Sequence, residues 1–326
     1  MRIEALQRIF CRALVCALLL LPAACGDSEQ ADTRPATPSD NEAYVDNMAK
    51  EHAEDTNTPS GAAALGEVPA MPVLSEIVQY GMVDGAPVTG YLAYPESAHG
   101  GLPGVMMFPE WWGLNDNIKA MADKLAGQGY VVLALDVYGG QVADTPQRAR
   151  ELARAAMADA EALNANIRQG WKFMTEEIGA LSVASLGWCL GGTLSFNTAL
   201  LYPDRLAGAV IYYGHVENAS RDQLATLAMP VLGLFGAEDS GIPVDGVRNF
   251  EQMLNELGKD AEIVVYENAG HAFANPTGQN FRPEAAEDAW RRTLAFLDRT
   301  LNAAVNRNVL EQEPAAVSVP ASANTR

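Results

Sequence analysis

Cys189 lies within the segment GWCLGG at 187–192, between a short apolar run and a stretch with helical periodicity. A nucleophile flanked by small residues at a strand-to-helix junction is typical of a nucleophile elbow, because that sharp turn requires glycine. The free N–H groups at the start of the following helix favour a thiolate. We therefore predict that Cys189 is a nucleophile and that the N–H of Leu190 stabilises an oxyanion. The alternative is a buried structural cysteine beside a glycine-rich turn.

An acidic residue and a histidine follow two later strand-like segments, in the order that an elbow of this kind requires. Asp239 comes after Val231–Gly236, and His271 comes after Glu262–Tyr266. We predict His271 as the general base and Asp239 as the carboxylate that orients it. Glu238 is adjacent and is the alternative acid.

The other three histidines are weaker candidates. His52 lies in an acidic N-terminal segment and His99 lies in a glycine-rich turn, so neither is predicted as a base. His215 follows a strand-like run, and either reaches the crevice at the carboxyl ends of the strands or is a solvated loop residue. His215 and His271 lack close ligand spacing, so neither a metal site nor a cofactor is predicted.

Strand-like and helix-like segments alternate along the body of the chain. Strands are predicted at Ile77–Val83, Val88–Tyr94, Gly104–Phe108, Val131–Asp136, Leu181–Gly187, Ala209–Tyr213, Val231–Gly236 and Glu262–Tyr266. Helices are predicted at Asn115–Gln128, Thr145–Thr175, Thr193–Tyr202, Val244–Leu257 and Pro283–Leu301. Continuously apolar inner strands are typical of a parallel sheet covered on both faces. The pattern predicts an α/β fold with a mostly parallel, doubly wound sheet and helices on both faces, as in an α/β-hydrolase.

The segment from about Val73 to Leu301 resembles the dienelactone hydrolase family. The matching motifs are GWCLGG at 187–192, GAED at 236–239, GHAF at 270–273 and PEWWG at 109–113. The resemblance implies that Glu110 pairs with the nucleophilic cysteine and helps to generate its thiolate once substrate is bound. It also implies that the N–H of Trp111 is the second oxyanion donor. Burial beside Phe108 and Trp111 would raise the pKa of Glu110, which suits a proton acceptor; the alternative is a surface carboxylate.

Two departures from the family pattern concern the substrate. Dienelactone hydrolases hold a substrate carboxylate with two arginines, but this chain has DVYGG at 136–140 and Asn275 at the corresponding places. A buried carboxylate without a cationic partner is costly, so the selectivity of the namesake enzyme is not expected here. The residues predicted to line the pocket instead are Trp112, Tyr138, His215, Phe273 and Asn275, although such aromatic residues are also common in cores.

Composition excludes several classes of protein. The chain has 326 residues, a net charge of −19 and 48% hydrophobic residues. A chain this apolar can bury a core, and a body this acidic repels a phosphate backbone, so disorder throughout and nucleic-acid binding are excluded. Four cysteines, of which only Cys189 lies in the globular part, provide neither a disulfide framework nor a cysteine-based zinc site.

Residues 1–25 are predicted to be a bacterial lipoprotein-type signal peptide, because basic residues precede a short apolar run and small residues. Cys25 follows LPAA and is the predicted site of lipidation, although Pro22 stands where a lipobox usually has leucine. Ordinary cleavage that leaves a free thiol is the alternative. Residues 26–70 are predicted as an acidic disordered tether, 71–302 as the hydrolase domain and 303–326 as a low-complexity tail.

The combined prediction is an exported protein of the cell envelope, anchored to the membrane by lipid. It hydrolyses a small carboxylic ester or lactone through Cys189, His271 and Asp239 and an acyl-enzyme intermediate. A thioesterase or transacylase would use the same residues, and a noncatalytic lipid-anchored binding module would retain them as a vestige. Nothing in the sequence indicates an oligomeric state.

Overall fold

The structure is a computed structural model that describes residues 38–53, 69–98 and 101–312. Within these ranges, eight strands form one sheet in the order β1-β2-β4-β3-β5-β6-β7-β8. The strands are β1 Val73–Val83, β2 Ala86–Pro95, β3 Gly104–Phe108, β4 Val131–Leu135, β5 Val183–Trp188, β6 Gly208–Tyr212, β7 Val231–Gly236 and β8 Ala261–Tyr266. The predicted signal peptide and Cys25 lie outside the described residues.

The sheet begins antiparallel and continues parallel. Strand β1 pairs with β2, and β2 pairs with β4, in antiparallel register; every later pairing, from β4 to β8, is parallel. Asp84 and Gly85 join β1 to β2 with φ values of 49° and 79°, as a tight hairpin turn with two left-handed residues requires. Strands β3 to β7 are buried along their whole length. The predicted α/β-hydrolase fold is confirmed.

Helices cover the sheet, and several of the predicted helix boundaries change. The helices are α1 Pro38–Glu51, α2 Asp116–Ala126, α3 Pro146–Ala158, α4 Ala160–Lys172, α5 Leu190–Leu201, α6 Arg221–Thr226, α7 Val244–Glu256 and α8 Pro283–Gln312. The single helix predicted over Thr145–Thr175 is divided at Asp159, whose backbone leaves the helical region and whose carboxylate accepts the N–H of Ala162. Helix α5 begins at Leu190, directly after Cys189, and not at Thr193 as predicted.

Helix α1 lies inside the segment predicted as a disordered tether, so that prediction is wrong for residues 38–51. Tyr44, Val45 and Met48 are buried in the main core, each 3% exposed or less. On its other side, Asp46 accepts hydrogen bonds from Arg150 and Arg154 of α3. A stripe of apolar residues at helical spacing therefore outweighs the acidic composition of the segment.

At the other end of the domain, α8 continues to Gln312, ten residues into the predicted tail at 303–326. Within the described residues, every helix is either too short or too polar to cross a lipid bilayer.

Candidate active site

Cys189 lies at the sharp turn between β5 and α5. Its φ of 56° and ψ of −121° are strained for a residue with a side chain, which is the backbone state of a nucleophile elbow. A Cβ on Gly187 would lie 2.0 Å from the carbonyl oxygen of Gly191, and one on Gly191 would lie 2.2 Å from the carbonyl oxygen of Phe108. Glycine is therefore required at both places, and the close approach brings the elbow against the end of β3.

The imidazole of His271 is held by a buried carboxylate. Asp239 Oδ2 lies 2.8 Å from His271 Nδ1, and both side chains are 1% exposed. The other carboxylate oxygen, Oδ1, accepts the backbone N–H groups of Gly241 and Ile242, each at 2.9 Å. These bonds fix the carboxylate, which in turn fixes the ring and leaves Nε2 as the nitrogen available to the thiol. The adjacent Glu238 is exposed, so Asp239 is the acid that contacts the histidine.

The thiol of Cys189 is fully buried beside two histidines. Burial acts to raise its pKa, but the charge and hydrogen-bonding capacity of His271 and then His52 outweigh burial and lower the pKa to about 6. For His271, burial acts to lower the pKa, but Asp239 and the Cys189 thiolate outweigh it and hold the pKa well above its usual value. Both pKa shifts favour the same charged state, in which the thiolate of Cys189 lies beside the imidazolium of His271.

Glu110, at the end of β3, is 3% exposed and accepts a hydrogen bond of 2.8 Å from Asn275 Nδ2. The orientation of the Asn275 amide is fixed, because its Oδ1 accepts the N–H and the hydroxyl of Thr277 at 3.1 and 3.0 Å. The resemblance described above implies an arginine at the place of Asn275. Asn275 contacts the carboxylate of Glu110, so this pocket residue positions another side chain of the site. The role of Glu110 as the partner of the thiol stays a prediction.

The two predicted oxyanion donors lie on segments that the elbow brings together. Leu190 is the first residue of α5, so its N–H has no partner within the helix. Trp111 is fully buried just after β3, and its carbonyl accepts the hydroxyl of Tyr138 at 3.0 Å. Tyr138 is held in turn by Asp136, which accepts its backbone N–H at 2.8 Å. Tyr138 therefore helps to fix the segment that carries Trp111.

The remaining predicted pocket residues divide between the site and its margin. Trp112 is buried with its ring centroid 5.4 Å from that of Trp111. Phe273 is buried against Tyr213, whose ring in turn lies 5.2 Å from that of His271. His215 lies at the margin, where its Nε2 is 3.1 Å from Glu217.

Helix α1 covers the site and supplies side chains that sequence reasoning missed. Met48 Sδ lies 3.1 Å from Cys189 Sγ, and the Tyr44 hydroxyl accepts a hydrogen bond of 3.1 Å from Thr193. The His52 ring stacks on Trp111 at 4.9 Å and meets the His271 ring edge-on at 5.5 Å. The apolar spacing of Tyr44, Val45 and Met48, followed by a histidine four residues after Met48, was the signal that could have revealed this helix.

Comparisons with known proteins identify the family of this chain. The sequence profile of the dienelactone hydrolase family matches residues 88–301. The chain belongs to the dienelactone hydrolase family. Protein usf of Aquifex pyrophilus is 31% identical over 225 residues, which cover 67% of this chain and 96% of that protein. A Saccharolobus solfataricus protein with the provisional name carboxymethylenebutenolidase is 30% identical over 253 residues, which cover 66% of this chain and 95% of that protein.

A crystal structure from Klebsiella pneumoniae, provisionally named a dienelactone hydrolase, superposes with a TM-score of 0.62 at 29% identity. The superposition covers 70% of this chain and 99% of that one. Membership of the dienelactone hydrolase family indicates a hydrolase that acts on esters or lactones. The matched region begins at residue 88, so α1 lies before the part of the chain that defines the family.

Proposed function

We propose that this protein hydrolyses a small carboxylic ester or lactone through an acyl-enzyme intermediate on Cys189. The observation that supports the proposal most directly is the buried pair of Asp239 and His271, with a ring nitrogen of His271 within 4.8 Å of the thiol sulfur. The Asp239–His271 contact is 2.8 Å, and the pKa of Cys189 is lowered to about 6. A thiolate that forms near neutral pH is the nucleophile that such a reaction needs.

In the first half of the reaction, the Cys189 thiolate attacks the carbonyl carbon and a C–S bond forms. The carbonyl electron pair moves onto oxygen, where the N–H groups of Leu190 and Trp111 stabilise the negative charge. Collapse of this intermediate breaks the C–O bond, and the departing alkoxide takes the proton of the His271 imidazolium. In the second half, His271 accepts a proton from water, the hydroxide attacks the acyl thioester, and the acid leaves as thiolate is restored.

The surroundings of the thiol favour a neutral, apolar acyl group. Both places where relatives of the dienelactone hydrolase type carry carboxylate-binding arginines are uncharged here, and Asn275 is already bonded to Glu110. The thioether of Met48 lies against the thiol, so an apolar group already fits there. Because Cys189 is fully buried beneath α1, substrate reaches it only after Met48 moves away.

Hydrolysis of a small aryl ester tests the proposal. The Cys189→Ala variant is expected to lose hydrolysis entirely, because no nucleophile remains, while its thermal melting temperature stays close to that of the wild type. His271→Gln should remove most of the rate and leave ester binding intact. Full activity in Cys189→Ala would exclude the mechanism. A parallel panel of acyl thioesters separates an esterase from a thioesterase, since the preferred leaving group differs.

We also propose that the protein is exported and anchored by lipid at Cys25, which rests on the sequence of the leader alone. The test is incorporation of labelled fatty acid and partition into the membrane fraction of expressing cells. Cys25→Ser should abolish both, whereas Cys16→Ser, within the leader, should change neither. A protein that stays soluble and unlabelled with Cys25 intact would contradict lipidation.

A further inference from the structure

Four side chains with metal-binding atoms meet in one buried cluster, where α1 lies over the elbow and the loop that follows β8. Cys189 Sγ and one ring nitrogen each of His52 and His271 lie within 4.8 Å of one another. Met48 Sδ lies 3.1 Å from Cys189 Sγ, so a thioether joins the thiol and the two imidazoles. Sequence spacing gives no sign of this cluster, because its members lie on three segments that are far apart in the sequence.

The side chains of Met48, in α1, and His52, directly after it, are placed as a unit. The N–H of His52 donates to the carbonyl of Met48 at 3.1 Å, so the helical turn continues through His52 and both side chains lie on one face. The imidazole of His52 is 3% exposed and is held by stacking on Trp111. Rigid packing of this kind is what a preorganised ligand set requires.

The side chain of His271 also has the surroundings of a metal ligand. Metal-binding histidines generally donate the N–H of the second ring nitrogen to a carboxylate, which fixes the ring and increases its basicity. Asp239 occupies that place at 2.8 Å from Nδ1. The contact with Asp239 that orients His271 as a general base therefore also orients its Nε2 to bind a metal ion.

We propose that docking of α1 builds a site for one thiophilic metal ion, Cu⁺ or Zn²⁺, bound by Met48, His52, Cys189 and His271. Occupancy holds α1 over the thiol and stops hydrolysis; this regulatory part rests on the proposed function, whereas metal binding does not. Thiolate and imidazole suit both ions, and the thioether favours Cu⁺. Binding releases the proton shared by Cys189 and His271, and no electron is transferred.

The observed spacing allows such an ion with small movements. Bonds of about 2.0–2.3 Å in a four-coordinate site separate the ligand atoms by roughly 3.5 Å. The thiol and imidazole atoms lie within 4.8 Å of one another, so they close around an ion with shifts on the order of 1 Å. The two sulfur atoms, at 3.1 Å, move apart by less than that.

The first test measures the affinity of the full-length, reduced protein for Zn²⁺ and for Cu⁺ by competition with a chromophoric chelator. His52→Gln should weaken both ions at least about tenfold, as expected when a ligand is lost. Met48→Leu, which keeps the apolar contact, should weaken Cu⁺ more than Zn²⁺. His215→Gln is the matched control and should weaken neither, because His215 contacts α1 through Tyr44 but lies outside the cluster.

The second test loads the protein with Co²⁺ in place of Zn²⁺, because the absorption of Co²⁺ reports its ligands directly. The wild type should show a thiolate-to-metal charge-transfer band that Cys189→Ala lacks, and His52→Gln should shift the d–d bands. A spectrum in His52→Gln that is identical to the wild type, with unchanged affinity, would overturn the proposal. These readouts need no turnover, so they test metal binding separately from the proposed hydrolysis. Metal binding can be absent while Cys189→Ala still abolishes ester hydrolysis, and it can be present in a protein without esterase activity.

Discussion

The ionisation of Cys189 provides a quantitative test of the site. With a pKa of about 6, about 90% of the thiol is thiolate at pH 7; with the ordinary value of 9.0, about 1% would be. The difference corresponds to about 4 kcal/mol, at about 1.36 kcal/mol for each pH unit. Since burial alone raises the pKa, the neighbouring histidines supply at least this much, and His271 contributes more than His52.

The perturbation is His271→Gln, which removes the charge and keeps a side chain of similar size. The assay is a pH titration of the ultraviolet absorbance of the thiolate, which needs no reagent to enter the buried site. Subtraction of the Cys189→Ala titration removes the tyrosines and the three other cysteines, and a chelator keeps metal ions away. We expect the midpoint to rise from about 6 in the wild type toward 9.0, with a smaller rise in His52→Gln.

The direction of the pH dependence follows from the charged form of Cys189 that the fold favours. A lowered pKa means that thiolate persists as pH falls until the pH passes about 6, so hydrolysis in the wild type should increase through that pH. In His271→Gln the increase in thiolate should move to alkaline pH. His215→Gln is the control, since this histidine lies at the margin of the site, and its midpoint should match the wild type. A His271→Gln midpoint within one pH unit of the wild type would refute the electrostatic argument.

Three further outcomes follow from the structure. Asn275→Asp places a second carboxylate against Glu110, so one of the two carboxyl groups must bind a proton in the folded state. The melting temperature of this variant should therefore be below that of the wild type at pH 8, and the difference should shrink as the pH falls to 5. Gly191→Ala drives a methyl group to 2.2 Å from the Phe108 carbonyl oxygen, and denaturant unfolding should show a loss of about 3 kcal/mol or more. Asp46→Asn weakens docking of α1, so alkylation of the buried thiol should become faster, and added salt should produce the same effect in the wild type. The first argument is contradicted if the melting difference does not change with pH, the second if Gly191→Ala leaves the unfolding free energy unchanged, and the third if Asp46→Asn leaves the alkylation rate unchanged.

The sheet and the elbow could be predicted because they depend on short-range patterns. A continuously apolar run such as Val131–Leu135 suits a central parallel strand, and small residues around Cys189 suit only a sharp turn. The order of Asp239 and His271 after later strands follows from the fold, because parallel strands end at one edge of the sheet. The strands and the elbow are therefore fixed by residues close together in the sequence, and the order of the acid and the histidine follows from the order of the strands.

The contributions of α1 and Asn275 depend on packing between distant segments. The composition around Met48 is acidic, and only docking against the body shows that its apolar face is buried. The sequence predicts Asn275 only as a pocket residue, yet in the fold its amide contacts Glu110, 165 residues away in the sequence. Partners at that separation are determined by the assembled fold, so single-sequence patterns do not reveal them.

The burial of Cys189 beneath α1 has a kinetic meaning. The methionine that contacts the thiol is an intramolecular competitor for the space that an acyl group must occupy. If the docked state were favoured tenfold, the apparent KM would rise about 11-fold while kcat stayed the same. Ionic strength would then tune substrate affinity through the arginine contacts of Asp46, without any change at the reacting atoms.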